Sequence, residues 1–195
     1  MNELLGPLVL FAAAVTLTPG PNVVLVTASA ANFGFRRTIP QMLGITFGFG
    51  TMVLATGLGL AGVVHAEPRL HAVLKYAGAA YLLYLAWRIA SADAASASAR
   101  RPIGFVEAML FTWMNPKAWV SALGAAAAFT TVGGDLLWES TLIAAVLAAF
   151  CLLSAAVWAG FGTVIGRYLA RPRARRVFNV SMAGLLVLSL IPVFW

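Results

Sequence analysis

Two short segments interrupt the apolar sequence and hold the residues whose types and spacing could bind a small charged solute. These segments are Thr18-Pro19-Gly20-Pro21-Asn22 and Asn115-Pro116-Lys117. A proline has no N–H, so inside a helix it leaves the carbonyl four residues earlier without its hydrogen bond. The carbonyls of Val15, Leu17 and Thr112 are therefore expected to be free to accept hydrogen bonds from an ammonium group.

Each interruption is also suited to restart a helix. Proline is favoured at the first helical position, so Gly20 and Asn115 are predicted to be the N-cap residues of the restarted helices. Their free N–H groups and the positive ends of the helix dipoles would point towards mid-membrane and attract a carboxylate. An amino acid carries both a carboxylate and an ammonium group. Simple kinks that bind nothing are the alternative interpretation of these prolines.

Lys117 is the residue that most favours a binding site. A lysine near the centre of a bilayer costs about 2.5–3.5 kcal/mol on insertion scales. We therefore expect Lys117 to face the protein interior and to meet an anion, such as the carboxylate of a substrate. The alternatives are that its amine reaches the membrane interface, or that it caps the end of another helix.

Other ionisable residues carry weaker predictions. Glu107 lies near the predicted cytoplasmic start of a span, where it is either a proton carrier or an interfacial charge. His65 and His71 flank Glu67 in a short connection, and two histidines in a loop are too few to predict a metal site. Cys151 is the only cysteine, which excludes an internal disulfide. The sequence predicts neither a metal nor a cofactor.

The composition predicts which type of secondary structure positions these residues. Of the 195 residues, 62% are hydrophobic and only 10% are charged, whereas soluble domains have about 25% charged residues. We predict an all-α membrane protein, because about 20 apolar residues make one crossing. The six predicted spans run from about Leu4 to Ala31, Pro40 to Val64, Leu70 to Ile89, Phe105 to Phe129, Leu137 to Ile165 and Phe178 to Trp195.

The basic residues predict the orientation. Ten of the 13 lysines and arginines lie in or beside the first-to-second, third-to-fourth and fifth-to-sixth connections. The positive-inside rule makes those connections cytoplasmic and both termini periplasmic. The net charge of +7 is thus explained by membrane topology, and a nucleic-acid partner is not predicted. The basic residues are Arg36, Arg37, Arg88, Arg100, Arg101, Arg167, Arg171, Arg173, Arg175 and Arg176.

The chain is predicted to be one polytopic domain, residues 1–195, built from two halves. A cytoplasmic linker at 91–104, rich in alanine and serine at its start, separates a three-helix repeat at 1–90 from another at 105–195. Three is an odd number, so the second half enters the membrane in the opposite direction, which gives a 3+3 inverted repeat. The interruptions fall in the first helix of each half, that is, helices one and four.

Two Gly-x-x-x-Gly motifs allow helices to approach closely. They begin at Gly44 and Gly162. Packing within one subunit is favoured over dimerisation through these motifs, and formation of a homo-oligomer stays open.

The sequence resembles the lysine exporter (LysE/RhtB) family of amino-acid efflux proteins over nearly its whole length. The resemblance is carried by both interruptions, by Phe33-Gly34 with Arg36-Arg37, and by the stretch from Gly78 to Trp87. It implies export of amino acids or similar metabolites across the bacterial inner membrane, driven by an ion gradient, usually of protons. It also implies that the functional positions are Thr18 to Asn22 and Asn115 to Lys117.

One departure from the family pattern bears on the substrate. Many members have an acidic residue after a glycine in the second helix, whereas here Gly48 is followed by Phe49 and Gly50. Neutral amino acids are therefore favoured over basic ones. Alternatives are transport of another small solute or in the uptake direction. An intramembrane enzyme is less favoured, because no nucleophile–base pair or metal cluster lies in a span, and a scaffold would leave Lys117 unexplained.

Overall fold

The computed structural model describes residues 2–60, 68–91, 101–131, 133–169 and 171–191, and these residues fold into helices without any strand. A π-helical turn at Thr56–Leu60 extends α3. The prediction of an all-α protein is confirmed. In chain order the helices are α1 (Asn2–Leu17), α2 (Pro21–Phe33), α3 (Phe35–Ala55), α4 (Pro68–Ala90), α5 (Phe105–Trp113), α6 (Pro116–Phe129), α7 (Leu136–Tyr168) and α8 (Pro172–Leu188).

Length and hydropathy identify two to three membrane spans among the described helices. Phe35–Leu60 and Leu136–Tyr168 are each long and apolar enough to cross a bilayer. Leu4–Leu17 and Pro21–Phe33 meet this test together and are bent by 57° where they join, so they give a third span if the pair is one crossing. An α-helical membrane protein is supported, and the count of six spans stays a prediction.

Prolines and a glycine set several helix boundaries. Pro21, Pro116 and Pro172 each occupy the first turn of a helix, where the missing N–H has no partner to lose. Gly34 separates α2 from α3 with a φ of 84°, a conformation that is costly for residues with a Cβ. Because α8 begins at Pro172, it starts six residues before the position near Phe178 that hydropathy predicted.

The long helix α7 organises the packing. It contacts α3 and α2 extensively and α1 to a smaller degree, while α3 also packs along α5. On another side of the molecule, α4 packs against α8. Small residues fill many of the contacts, and Ala12, Ala122, Ala125 and Ala159 are fully buried.

The Gly-x-x-x-Gly motifs lie at two of these interfaces. A Cβ on Gly44 would meet the carbonyl of Phe105 in α5, and one on Gly48 would lie 2.9 Å from the Met109 carbonyl oxygen. In the same way, α7 packs its second motif, Gly162 and Gly166, onto the backbone of α2. The predicted packing of both motifs within one subunit is therefore confirmed.

Some predictions fall on parts of the chain outside the described residues. His65 and Glu67 are among them, as are residues 92–100 of the predicted linker, and the side chain of His71 is also not described.

Candidate functional site

The structure brings the two interrupted segments into contact. In the first, α1 ends at Leu17 and α2 begins at Pro21; in the second, Met114 and Asn115 separate α5 from α6. Side-chain hydrogen bonds join each segment to the other or to the residues beside it. The Lys117 amine donates to the Thr18 carbonyl at 2.5 Å, and the Asn22 amide donates to the Thr112 hydroxyl at 3.4 Å.

A cavity of about 60 Å³ lies where the segments meet, and we call it the central cavity. Six of the eight predicted site residues line it: Thr18, Gly20, Pro21, Asn22, Asn115 and Lys117. Pro19 and Pro116 are not part of the lining, although the Pro19 carbonyl lies 3.5 Å from the Lys117 amine. The rest of the lining comes from Val15, Thr16, Val23, Val26, Ile45, Phe49, Ala118, Ser121, Cys151, Ser154 and Ala155.

Most of this further lining was missed from the sequence. Ile45 and Phe49 lie in α3, while Cys151, Ser154 and Ala155 lie in α7. They bear no motif, because what brings them to the cavity is the packing of these two helices beside the interruptions. A signal was available only for Ser154, as one of the few hydroxyls inside the long apolar helix α7.

Lys117 is partly buried and caps the end of another helix in this structure. Its amine lies at the carbonyls of Thr18 and Pro19, just beyond the C-terminal end of α1. The C-terminal end of a helix is the negative end of its dipole, so a cation there is stabilised. Of the three arrangements that the sequence left open, capping describes this structure. A bond from Lys117 to a substrate stays a prediction.

The free carbonyls are not all those that the prolines predicted. The Thr112 carbonyl accepts the Asn115 N–H at 3.1 Å, because the chain continues as a tight turn through Met114 before α6 begins. The Thr16 carbonyl, which was not predicted to be free, accepts the Ser154 hydroxyl at 2.7 Å. The sequence prediction was therefore wrong for Thr112. Val15 does line the central cavity.

The two restarted helices also differ at their N-terminal ends. Asn115 is the N-cap of α6, and its side-chain oxygen accepts the Lys117 N–H at 3.1 Å. Gly20 is the N-cap of α2 and has no side chain that could accept a hydrogen bond. An anion would thus find uncapped N–H groups at α2, whereas α6 already satisfies part of its first turn. The predicted N-caps, Gly20 and Asn115, are both found, and attraction of a carboxylate to either helix start stays a prediction.

Asn22 presents an acceptor to the central cavity. Its Oδ1 atom is buried and has no hydrogen-bond partner within the described part of the chain, while its Nδ2 atom faces Thr112. Buried amide oxygens are nearly always paired, so an unpaired one beside a cavity marks a place for a donor. With Lys117 and the start of α2 nearby, this cavity combines acceptors for an ammonium group with donors for a carboxylate.

Glu107 lies away from the central cavity. Its carboxylate forms an ion pair with Arg88 at 2.6 Å and accepts the Gly104 N–H at 3.1 Å. Both residues of the ion pair line a second cavity of about 350 Å³, which we call the Arg88 cavity. The structure therefore does not join Glu107 to the other predicted site residues, and a coupling role for it stays a prediction.

Comparison with known proteins gives one family and consistent relatives. Residues 13–191 match a family described as LysE type translocator. A cysteine/O-acetylserine efflux protein of Salmonella typhimurium (strain LT2) is 32% identical over 181 residues, covering 92% of this chain and 91% of that protein. A protein of the same description from Escherichia coli (strain K12) is 29% identical over the same length and coverage. No solved structure matches the chain.

Proposed function

The chain belongs to the LysE family of translocators, and on that premise we propose that it exports small neutral amino acids or related zwitterions from the cytoplasm. It is a multi-pass protein of the bacterial inner membrane and a transporter rather than an enzyme. Its relatives are named for the efflux of cysteine and O-acetylserine, two amino acids with uncharged side chains. Those names support a substrate of the same charge type here.

The observation that carries the proposal is the pairing of Lys117 with Asn22 across the central cavity. Within the described part of the chain, Lys117 is the one lysine or arginine that lines the cavity, and Asn22 supplies a buried oxygen that has no donor. A zwitterion fits both groups, with its carboxylate at Lys117 and the start of α2 and its ammonium group at Asn22. A solute of single charge would leave one of the two unsatisfied.

The size and lining of the cavity support a small substrate. About 60 Å³ holds a few water molecules, since one water needs about 10–15 Å³ by a comparable measure. Phe49, Ile45 and Ala155 form apolar walls that suit a short side chain. Among the described residues no acidic side chain lines the cavity, so the side chain of a basic amino acid would bury its charge without a partner there.

We propose that transport follows alternating access around this cavity. The Lys117 amine holds carbonyls at the end of α1, and a substrate carboxylate would compete for the same amine. Binding would then release the end of α1. This release would shift the equilibrium between the conformation whose cavity is open to the cytoplasm and the one whose cavity is open to the periplasm. The interruptions supply hinges in both halves of the chain.

A six-span 3+3 inverted repeat with helices one and four broken at their prolines is part of the proposal. Under it α1 and α2 form the first span, and α5 and α6 form the fourth. The packing supports this symmetry, because α3 pairs with α7 and α4 pairs with α8, which are the equivalent helices of the two halves. Each broken pair also packs on the middle helix of the other half.

The orientation and the energy source are proposed from the charges. The arginine-rich connections place both termini in the periplasm by the positive-inside rule. Efflux against a concentration gradient needs an ion gradient, and protons are proposed as the coupling ion. Glu107 is the candidate proton carrier, since it is the acidic residue that lines a described cavity.

The test is efflux of radiolabelled alanine, serine and O-acetylserine from proteoliposomes that contain purified protein. Lys117→Ala should insert normally and export less than about 1% as fast as the unchanged protein, because two charge-assisted hydrogen bonds of about 1.5–3 kcal/mol each disappear. Lys75→Ala, which changes the other of the two lysines, is the matched control and should export normally. An ionophore should stop uphill efflux.

Two results would reject parts of the proposal. Normal efflux by a well-folded Lys117→Ala protein would remove Lys117 from the site. Transport of arginine or lysine faster than alanine would reject a neutral substrate. Net transport of the amino acid only towards the cytoplasmic side, whichever way the ion gradient is imposed, would favour uptake over export.

A further inference from the structure

We propose that the Arg88 cavity is a second binding site, a cytoplasmic vestibule that captures a zwitterion by exchanging its charges with the Arg88–Glu107 ion pair. This inference rests on the proposed export function and adds the site at which the substrate first binds. The substrate carboxylate would take the place of Glu107 at Arg88. Its ammonium group would take the place of Arg88 at Glu107.

The cavity has the size and the position for this role. Its volume of about 350 Å³ is several times that of the central cavity and is large enough for a hydrated amino acid. It lies between α2, the C-terminal part of α4 and the residues that lead into α5. The same region holds Arg88 and Arg101, which belong to the arginine-rich side of the molecule.

The charged side chains of Arg88 and Glu107 are held in position by several contacts. Arg88 and Glu107 are each 23% exposed and lie 2.6 Å apart, so each is only partly hydrated and stabilises the other. Glu107 also faces Arg101 at 3.9 Å, a longer contact with a side chain that is 80% exposed and therefore largely screened by solvent. Each has a second fixed contact: Arg88 lies against the Tyr84 ring, with its Cζ atom 5.7 Å from the ring centre, and Glu107 accepts the Gly104 N–H. These contacts keep both charges in place when the bond between them opens.

Such a pair discriminates by charge type. Removing one partner of a poorly hydrated ion pair leaves the other charge uncompensated, which is strongly unfavourable. A zwitterion compensates both charges at once, whereas a simple amine or a simple carboxylate compensates only one. The pair therefore opens for an amino acid and stays closed to singly charged solutes, before any of them reaches the central cavity.

One face of α2 connects the two cavities. Asn22 and Val26 line the central cavity, whereas Ser29 and Phe33 line the Arg88 cavity. Spacings of four, three and four residues put all four on the same side of a helix. Only about one turn of α2, from Val26 to Ser29, lies between the cavities, or about 4.5 Å of rise. A substrate released from Arg88 can therefore reach Lys117 along this face.

The first experiment measures occupancy of the vestibule without measuring transport. Ser29→Cys is made in a Cys151→Ala background, which leaves one thiol in the Arg88 cavity. A membrane-impermeant cationic methanethiosulfonate reagent is added to inside-out vesicles, and the labelling rate is measured. Alanine at ten times its dissociation constant should slow labelling about tenfold, because about one eleventh of the sites stay free. Propionate and ethylamine, which each carry one of the two charges, should leave the rate unchanged.

The matched probe is Ser121→Cys in the same background, which places the thiol in the central cavity. Protection of both thiols by alanine supports the vestibule. Protection at position 121 alone would overturn it while the export proposal stands. Protection at neither position, together with no alanine efflux from the unchanged protein, would remove the proposed function itself. Equal protection by propionate or ethylamine would overturn the exchange with the ion pair.

The second experiment distinguishes a role of the ion pair in binding the substrate from a role of Glu107 in proton coupling. Arg88→Gln/Glu107→Gln keeps the shape of the pair without its charges. For alanine efflux down its own concentration gradient, which needs no proton carrier, we expect the KM to rise about tenfold with little change in kcat. Arg167→Gln, an exposed change at the end of α7, is the control for lost positive charge and should behave like the unchanged protein. Normal KM in the double variant would overturn the proposal.

Glu107→Gln alone is then assayed for alanine counterflow, which needs no ion gradient. A weaker apparent affinity in counterflow supports the role of Glu107 as partner of the substrate. Normal counterflow with loss of only the uphill efflux would make Glu107 the coupling residue and overturn its role in capture.

Discussion

The amine of Lys117 donates a hydrogen bond to the carbonyl oxygen of Thr18 at 2.5 Å, across 99 residues of sequence. This bond joins the N-terminal turn of α6 to the chain just beyond α1, so a change at either interruption reaches the other. The contact satisfies a carbonyl that no helix pairs and a cation that hydrocarbon would not hydrate. A ligand that draws the Lys117 amine away from the Thr18 carbonyl would therefore also loosen the end of α1.

Gly20→Ala tests how closely Lys117 is held. A Cβ on Gly20 would lie 2.7 Å from Cδ and 3.1 Å from Nζ of Lys117, so the side chain of Lys117 must move. The backbone of Gly20 is extended, with a φ of −163°, and alanine adopts this conformation without strain. We expect normal thermal stability and efflux reduced about tenfold, since displacement of the amine weakens one charged hydrogen bond.

The control for Gly20→Ala is Gly184→Ala in α8, where a new Cβ meets no atom within 4 Å. Its efflux and its Tm should equal those of the unchanged protein. Unreduced efflux in Gly20→Ala would mean that the position of the Lys117 amine does not matter for transport.

Asn22→Leu should separate stability from function. Leucine removes the buried Oδ1 atom that has no partner in the described structure, and it removes only a long bond to Thr112. The Thr112 hydroxyl still donates to the Ala108 carbonyl at 2.9 Å, so no new unpaired group arises. We expect an equal or higher Tm, because a buried unpaired polar group costs about 1–3 kcal/mol. The KM for alanine efflux should rise about tenfold or more.

Asn22→Gln is the matched variant, because it keeps an amide oxygen in the central cavity. It should recover part of the efflux that Asn22→Leu loses. A lower Tm in Asn22→Leu with unchanged KM would show that Asn22 is a structural residue and would contradict its role in binding the ammonium group.

Hydrogen bonds between residues close in sequence could be predicted, whereas hydrogen bonds that depend on how helices pack could not. Asn115 is the N-cap of α6 because its side chain reaches the N–H two residues later, which needs no other part of the fold. The Ser154 bond to the Thr16 carbonyl spans 138 residues and depends on how α7 crosses α1. The prolines therefore indicated where carbonyls lose their helical partners, while the packing decided which atoms replace those partners.

The Arg88 cavity illustrates the same limit. Hydropathy places Arg88 at the end of the predicted span Leu70 to Ile89, and the structure places it in the last turn of α4. Its partner Glu107 is 19 residues away, on the other side of the predicted linker. Neither residue has a spacing that indicates a pair, because the approach of α4 to the start of α5 is a tertiary contact. Sequence alone thus indicated residues that line the central cavity and missed the second cavity.

The glycines of the two close helix contacts should be important for the stability of the fold. Gly44→Ala would drive a Cβ into the Phe105 carbonyl, and Gly162→Ala would drive one into the Thr27 carbonyl. Backbone atoms cannot move aside without shifting a helix, so we expect each change to cost about 1–3 kcal/mol. Thermal unfolding of detergent-purified protein should show a clearly lower Tm for both variants.

Gly160→Ala is the matched control, two residues before Gly162 in the same helix. A Cβ at Gly160 meets no atom within 4 Å, so it should be neutral or slightly stabilising through better helix propensity. Equal Tm values for Gly160→Ala and Gly162→Ala would contradict the close contact between α7 and α2.

Substitutions of Asn115 can distinguish its effect as a helix N-cap from the effect of charge in the central cavity. Asn115 is 2% exposed, lines the central cavity and caps α6. Serine and aspartate are comparably good N-caps, whereas alanine loses about 1 kcal/mol. Asn115→Ser should therefore keep both the Tm and the efflux, and Asn115→Ala should lower the Tm.

Asn115→Asp is the informative variant of this series. Its carboxylate keeps the cap and suits the positive end of the α6 dipole, so the Tm should be preserved. The same charge lies in the cavity that Lys117 lines, where it would attract the amine and repel the carboxylate of a zwitterion. We expect alanine efflux to fall about tenfold or more relative to Asn115→Ser. Equal efflux from the two capped variants would mean that no substrate carboxylate binds in the central cavity, because a fixed negative charge there could not be without effect.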